Sequence, residues 1–231
     1  MHEIIPSRQF NSLYIYADII FLIVFCILLA WKKRYVAFFA GLAGGVIYFI
    51  VDYGIFYLAL GTRTVAGADP CWFLLWLSMS YGITNFALIW LWLDRDEFLL
   101  YWALLIPMAW LGIALFAQSF GCGFTQIAIS RGTGAYHGVM GLMLVAGYLW
   151  LFVHNMRTEK AQRYPILWIL AIGILVQFEW EFVLFITGIR PGDLRTLVVN
   201  SLLETNMGLP YIFLIHRAVM KRRKEDLSKP N

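Results

Sequence analysis

The stretch ADIIFLIVFCILLAWKKR, residues 17–34, decides the class of this protein. It contains most of an apolar run, residues 13–31, that ends in the basic cluster Lys32, Lys33 and Arg34. A helix needs about 20 mostly apolar residues to cross the hydrocarbon core of a bilayer. A run of this length that ends in lysine and arginine therefore predicts a membrane-spanning helix with its basic end at the membrane surface.

Six further apolar runs of similar length follow, with short connections and no soluble domain. The predicted spans are residues 13–31, 36–60, 71–93, 98–118, 134–153, 165–189 and 197–216. The whole chain of 231 residues is 61% hydrophobic and only 14% charged, whereas an ordinary soluble domain carries about 25% charged residues. We therefore predict a single all-α domain of seven transmembrane helices, 1–231, in a multi-pass integral membrane protein, which would lie in the cell membrane if the protein is bacterial.

Lysine and arginine are distributed unevenly between the two predicted membrane faces. One face carries thirteen of them and the other carries five, namely Arg8, Arg63, Arg131, Arg190 and Arg195. Because cytoplasmic loops are enriched in lysine and arginine, this bias predicts an outside N-terminus and a cytoplasmic C-terminus. The same bias explains the net charge of +4, so nucleic acid is not an expected partner.

Helices one to three and five to seven share a loose pattern around a fourth, linking helix. YFIVDYGIF (48–56) and QFEWEFVLF (177–185) align so that Asp52 lies over Glu181. The alignment predicts two parallel repeats in a 3+1+3 arrangement; the alternative is seven helices without internal symmetry.

Carboxylates within the predicted spans are the strongest functional signal, because charged groups in a span usually face the bundle interior and mark a site. Five of them lie in the outer halves of four helices: Asp18, Asp52, Glu179, Glu181 and Glu204. No lysine or arginine lies within a span to neutralise them. The nearest bases are Arg63, Arg131, Arg190 and Arg195 in the outer loops. Three arrangements remain open: these arginines fold inward, some of the acids are protonated, or a cation binds.

Glu179 and Glu181 are two residues apart, and successive helical positions are rotated by about 100°, so the two side chains point in nearly opposite directions. We expect Glu181 to face the site, with Asp52, and Glu179 to contact a neighbouring helix or an outer arginine. Asp18 lies close to the interface, and we expect it to be hydrogen-bonded to another helix.

SLLETNMGLPYIF, residues 201–213, predicts a kink in helix seven. Pro210 cannot donate the backbone hydrogen bond to Asn206, and Gly208 adds conformational freedom. Glu204, Asn206 and nearby carbonyl groups would then form a polar patch, although a kink that serves packing alone is the alternative.

Acids and aromatic side chains at one depth predict an outward-facing intramembrane cavity that binds or transports a small cationic, hydrophobic or amphipathic molecule, held in part by cation–π contact. The alternative for the aromatics is simple core filling. The predicted ligand-binding residues are Asp52, Glu181, Glu204, Asn206, Trp76, Tyr81, Trp110 and Trp180.

Cys26, Cys71 and Cys122 lack the spacing of a metal site or a disulfide framework, and no HExxH, GxSxG, P-loop or GxGxxG motif is present. We expect no cofactor and no bound metal. Besides the lipid bilayer, the expected partner is the small molecule; the oligomeric state and any transport direction stay open, and an assembly protein whose acids pair with a partner's helix is a further alternative.

The order of these features resembles the small seven-helix integral-membrane terpene cyclases of fungal meroterpenoid and indole-diterpene pathways. Those proteins carry an acid in helix two, in a WE(F/V) setting, and an acid in helix seven ahead of a basic tail. The resemblance implies that Asp52 in VDYGIF and Glu204 in SLLETN are catalytic. The implied chemistry is protonation of an epoxide or alkene, with aromatic faces steering the carbocation.

This chain departs from that pattern in three places. Helix two has VD where the family has WE, and helix seven has glutamate where the family has aspartate. The WEF motif, residues 180–182, lies in helix six instead.

Overall fold

The structure, a computed structural model, describes residues 7–131, 136–190 and 194–227. Eight α-helices and three short strands follow one another along these residues, and α2 continues into a π-helical segment, Ile50–Ala59. The elements in order are β1 (Ser7–Asn11), α1 (Ser12–Trp31), α2 (Tyr35–Phe49), β2 (Arg63–Ala66), α3 (Pro70–Asp94), α4 (Leu99–Phe120), β3 (Gln126–Arg131), α5 (His137–Met156), α6 (Ile166–Ile186), α7 (Leu194–Leu203) and α8 (Leu209–Leu227).

Six helices in the described part of the chain are long and apolar enough to cross a membrane: α1, α2 with its π-helical continuation, α3, α4, α5 and α6. Their bounds agree with the first six predicted spans to within about three residues, except that the predicted start of the fifth span, residues 134–135, lies outside the described residues. The membrane orientation and the 3+1+3 repeat stay predictions.

The predicted seventh span, residues 197–216, is wrong as a single helix. It is divided into α7, which has ten residues, and α8, which begins at Leu209 and continues into the basic tail. The intervening residues 204–208 form turns. The sequence predicted a kink here, and the segment is instead divided into two helices. Pro210 lies in the first turn of the second helix, where its missing N–H has no intrahelical partner to lose.

The helix α3 is the most buried of the six long helices and forms the centre of the bundle. The backbones of α2 and α3 approach closely where Gly82 faces Gly44 and Gly45: a Cβ atom on Gly82 would lie 2.1 Å from the Cα of Gly45. The helix α6 packs on the other side, against α3, α4 and the α7–α8 pair. Small residues at a helix crossing allow this close approach, which favours helix association within a bilayer.

A three-stranded antiparallel sheet, with strand order β1-β3-β2, closes one end of the bundle and was not predicted from the sequence. Its residues belong to the N-terminal segment and to the connections α2–α3 and α4–α5, which all meet at this end. The backbone N–H of Gln9 also donates to the carbonyl of Ile189, 2.9 Å away, just after α6. We call this the sheet end, and the opposite end, which carries Lys32, Lys33 and Arg34, the lysine-rich end.

Candidate functional site

One face of the sheet presents arginine side chains to the helices beneath it. Paired residues of an antiparallel sheet project on the same side, and alternate residues of each strand share a face. Phe10 and Ile127 pair on this inner face, as do Arg63 and Arg131. The side chain of Arg8, two residues before Phe10, points the same way and is 1% exposed. The sheet therefore brings three guanidinium groups over the ends of the helices that carry the acids.

Asp52 lies between two of these arginines. Its Oδ1 atom is 2.9 Å from Nη2 of Arg63 and 3.4 Å from Nη2 of Arg131. Like charges directly opposite each other in a sheet destabilise it, so a carboxylate shared by Arg63 and Arg131 stabilises the pairing of β2 with β3. Asp52 itself lies in the π-helical segment, a geometry that occurs frequently at functional sites.

The pKa values of Arg63 and Arg131 are shifted in opposite directions. Burial lowers the pKa of Arg63 to about 10, and the charge of Arg131 lowers it as well. Burial would also lower the pKa of Arg131, but the nearby negative charges of Asp52, Glu204 and Glu181 raise it above its ordinary value. Both guanidinium groups therefore remain cationic at neutral pH. The three predicted acids Asp52, Glu181 and Glu204 therefore all act on the pKa of Arg131.

Glu181 forms the second ion-pair group. Its Oε1 atom lies 3.5 Å from Nη2 of Arg8, and its Oε2 atom pairs with Nη1 of Arg190. Arg8 also donates through Nη1 to the hydroxyl of Tyr81 on α3. Burial and the charge of Arg8 lower the pKa of Arg190. Arg8 on β1 thus joins α6, through Glu181, to α3, through Tyr81.

Gln177 links Glu181 to the break between α7 and α8. Its amide nitrogen donates to Oε2 of Glu204 at 2.8 Å and to Oε1 of Glu181 at 3.4 Å. Its carbonyl oxygen accepts from the hydroxyl of Thr205 at 2.6 Å. Glu204 is partly exposed, and no arginine in the described residues lies within ion-pair distance of it. It therefore differs from Asp52 and Glu181, each of which contacts two guanidinium groups.

Asn206 lies next to this group but serves mainly to join helices. Its Oδ1 atom accepts a hydrogen bond from the hydroxyl of Tyr148 on α5 at 2.8 Å. The side chain is fully buried against Gly173, where an added Cβ would lie 2.1 Å from that Oδ1 atom. Its Nδ2 atom has no hydrogen-bond partner in the described part of the chain.

Three of the four predicted aromatic residues pack against one another, in tilted and edge-to-face contacts, beneath the arginines. The ring centroids of Tyr81 and Trp180 are 4.2 Å apart, and those of Trp110 and Trp180 are 4.5 Å apart. Trp76 instead packs against Phe10 and donates from Nε1 to Oδ2 of Asp18 at 2.9 Å. The prediction that Asp18 is hydrogen-bonded to another helix is confirmed, and Trp76 belongs to that contact.

Glu179 takes no part in the cluster, as the helical rotation predicted. Its predicted neighbour was not found: its buried Oε2 atom has no hydrogen-bond partner within the described ranges. We use the name acid–arginine cluster for the following set: Arg8, Asp52, Arg63, Arg131, Gln177, Glu181, Arg190 and Glu204.

The inward-folded arginines realise the first of the three neutralising arrangements that the sequence left open. Arg8 was the member that sequence reasoning did not single out as a base near the acids. A signal was present, because lysine and arginine together are depleted on the predicted outer face, five against thirteen, and the five that remain there need a reason. The side chain of Arg195 lies outside the described residues.

Three surface clefts, with volumes of about 350, 460 and 560 Å³, lie toward the lysine-rich end, and none of these three includes Asp52, Glu181 or Glu204. Within the described ranges, no three histidine, cysteine, aspartate or glutamate side chains are grouped so that they could hold a metal ion.

In comparisons with protein-family models, with curated proteins and with solved structures, no match to this chain was found.

Proposed function

We propose that this chain is an integral membrane protein that binds a small amphipathic molecule at the acid–arginine cluster, with Glu204 contacting the polar end of that molecule. The observation that carries the proposal is the environment of Glu204. Among the carboxylates of the cluster, Glu204 is the one that lies within ion-pair distance of no arginine side chain in the described residues. It is partly exposed, and the amide nitrogen of Gln177 donates a hydrogen bond to one of its oxygens. A carboxyl group with one oxygen fixed keeps the other available to a ligand.

The charge balance favours an amphipathic molecule over a simple cation. Four arginines in the cluster face three carboxylates, Asp52, Glu181 and Glu204. The Nε and Nη1 atoms of Arg63 and the Nε atom of Arg131 have no hydrogen-bond partner among the described residues. Donors therefore exceed acceptors, and a hydroxyl end, which can accept from a guanidinium and donate to Glu204, suits the cluster better than an ammonium group. The apolar end of the ligand would lie between helices, in contact with lipid.

A photoreactive long-chain alcohol, a diazirine-bearing prenyl alcohol, tests this binding in lipid nanodiscs. Wild-type protein is expected to crosslink at residues of α7 and at the turns that follow it, in competition with the unmodified alcohol. Glu204→Ala should abolish the competed crosslink.

The matched control is Glu179→Ala, because Glu179 is a carboxylate at a similar depth but outside the cluster. The proposal predicts no change for this control. Equal crosslinking of wild type, Glu204→Ala and Glu179→Ala would reject it.

A second candidate function is that of a membrane-embedded terpenoid cyclase, as the family resemblance implies. One observation favours it: the aromatic group of Tyr81, Trp180 and Trp110 lies beside the cluster, and aromatic faces stabilise a carbocation. Asp52 contacts two arginines, which stabilise its ionised form, so the general acid of this mechanism would be Glu204.

Product formation separates this enzyme from the binding protein. Wild-type protein is incubated with a prenylated epoxide, and cyclised product is sought by mass spectrometry. Glu204→Gln keeps the hydrogen bond from Gln177 but has no proton to give, so an enzyme should lose product while it retains the crosslink. Absence of product from wild type, with crosslinking intact, would leave the binding function and exclude cyclisation of that substrate.

A further inference from the structure

A polar cleft of about 350 Å³ at the lysine-rich end lies far from the acid–arginine cluster in the fold. It forms where the α1–α2 connection, the α3–α4 connection and α8 meet. Its charged lining consists of Lys33, Arg34, Asp94, Arg95, Asp96, Glu97 and Arg223. Its volume is within the range of small-molecule and cofactor sites.

The carboxylates of this cleft already have hydrogen-bonding or ion-pair partners within the protein. Arg34 pairs with Asp96 and, at 2.8 Å, with Oε1 of Glu97. Oδ1 of Asp94 lies 2.7 Å from Nε2 of His216 on α8. The acidic side chains are therefore engaged within the protein.

The remaining basic residues of the cleft have no such partner. Lys33, Arg95 and Arg223 lie within ion-pair distance of no carboxylate in the part of the chain that the structure describes, although the guanidinium of Arg95 lies 5.7 Å from the ring centre of Trp168. Three cations from three separate segments thus line one cleft, and none of them forms an ion pair with a carboxylate in the described residues. This arrangement suits a ligand with more than one negative oxygen.

The backbone gives an independent reason to regard Lys33 and Arg95 as functional. They have φ angles of 59° and 53°, and they are the two residues other than glycine with positive φ in the described ranges. Each terminates a helix, a position where glycine or asparagine is ordinarily found because a Cβ atom disfavours the left-handed conformation. Both exceptions are basic, and both line the same cleft. Strain of this kind concentrates at ligand-binding sites.

An apolar groove of about 560 Å³ adjoins the cleft along α4. It is lined by Lys32, Phe98, Tyr101, Trp102, Leu104, Leu105 and Met108. The two are joined directly, because Nε1 of Trp102 in the groove donates to Oδ1 of Asp96 in the cleft at 3.2 Å. Tyr101, Leu104 and Met108 are exposed, so the groove opens where lipid chains would surround the helix.

We infer that the cleft binds a phosphate group, and that this phosphate belongs to an anionic membrane lipid whose chain lies in the adjoining groove. Unpaired lysine and arginine at a membrane surface attract anionic headgroups, and guanidinium groups match phosphate oxygens in pairs. A free phosphate ester offers the same head chemistry without a chain. The inference is independent of the function proposed for the acid–arginine cluster.

Native mass spectrometry with defined lipids tests the inference. Phosphatidylglycerol is the anionic lipid probe, phosphatidylcholine is the zwitterionic comparison, and glycerol 3-phosphate is the soluble phosphate probe. The key variant is Lys33→Gly combined with Arg95→Gly, because glycine accepts the left-handed backbone. We expect its affinity for phosphatidylglycerol to fall by about tenfold, while its melting temperature stays the same or rises.

The matched control is Arg157→Gln combined with Lys160→Gln, which removes two exposed basic residues from the same end of the molecule but from another connection. Its affinity should fall by about twofold or less, because only diffuse, screened attraction is lost. Should the double glycine variant fail to fold, Arg223→Gln serves in its place, since Arg223 is exposed and lies on α8.

Each outcome decides the inference. A loss of phosphatidylglycerol affinity in the Lys33→Gly, Arg95→Gly variant or in Arg223→Gln, without a comparable loss in the control, supports it. Binding of glycerol 3-phosphate with the same dependence on Lys33 and Arg95, and no preference for the lipid, overturns the lipid assignment and assigns the cleft to a soluble phosphate. An equal loss of phosphatidylglycerol affinity in the cleft variants and in the control, or no loss in either, overturns the phosphate site.

Discussion

Arg8 and Glu181 form a buried ion pair between residues 173 positions apart in the chain. Nη2 of Arg8 lies 3.5 Å from Oε1 of Glu181, and each side chain is 2% exposed. The contact attaches the N-terminal strand to α6, and through Tyr81 to α3. It makes the sheet and the helical bundle depend on each other.

Replacing Arg8 with methionine should therefore destabilise the whole bundle. Removing one partner of a buried ion pair leaves the other charge uncompensated. We expect a loss of about 3 kcal/mol, the lower end of the usual range, because Arg190 still contacts Glu181. Thermal unfolding in detergent measures the change, with the exposed Arg157→Met as control. Equal stability of the Arg8→Met and Arg157→Met variants would contradict the pairing.

Asp52→Asn should loosen the sheet more than the helices. Without the carboxylate, Arg63 and Arg131 face each other across β2 and β3 with no negative charge between them. We expect the backbone amides of these strands to exchange hydrogen faster, which mass spectrometry of peptic peptides would show.

Asp69→Asn is the control for Asp52→Asn. Asp69 is exposed and caps the start of α3 by accepting from the N–H of Trp72 at 3.0 Å. Asparagine caps a helix about as well as aspartate, so exchange should be unchanged. If Asp52→Asn left strand protection at the wild-type level, the carboxylate would not be what holds these strands together.

Two glycine-to-alanine substitutions should act in opposite directions. Gly82→Ala places a methyl group 2.1 Å from the backbone of Gly45, and overpacking of this kind costs about 1–3 kcal/mol. Gly54→Ala meets no atom within 4 Å and should stabilise the helix by roughly 0.5–1 kcal/mol. Unfolding of both variants under the same conditions measures the difference. Equal effects would mean that α2 and α3 are not in close contact at Gly82.

The parts of this fold that follow from local chemistry were predictable. Apolar runs of spanning length located six helices because each run is long compared with the connections between them. Helical rotation separated Glu181 from Glu179, and Pro210 with Gly208 marked the end of one helical segment. In each case the decisive interaction lies within a few residues of sequence.

The parts that depend on distant segments were not predictable. The strands β1 and β2 have five and four residues, too few for an alternating pattern to stand out in a connection. Pairing of Asp52 with Arg63 and Arg131 follows from that sheet, so it was one open alternative among three. The ten-residue π-helical segment at Asp52 has no established sequence signature and reads as ordinary apolar helix.

The orientation of the bundle is open to a direct test at Cys122, an exposed cysteine in the connection between α4 and β3 at the sheet end. The thirteen-to-five bias of lysine and arginine predicts that this end lies outside. A membrane-impermeant maleimide should therefore label Cys71→Ser protein in intact cells and should not label the Cys71→Ser, Cys122→Ser double variant, since Cys71 is partly exposed at the same end. Gln162→Cys, placed at the lysine-rich end in the double-variant background, should react only after permeabilisation. The reverse pattern would invert the topology and place the acid–arginine cluster on the cytoplasmic side.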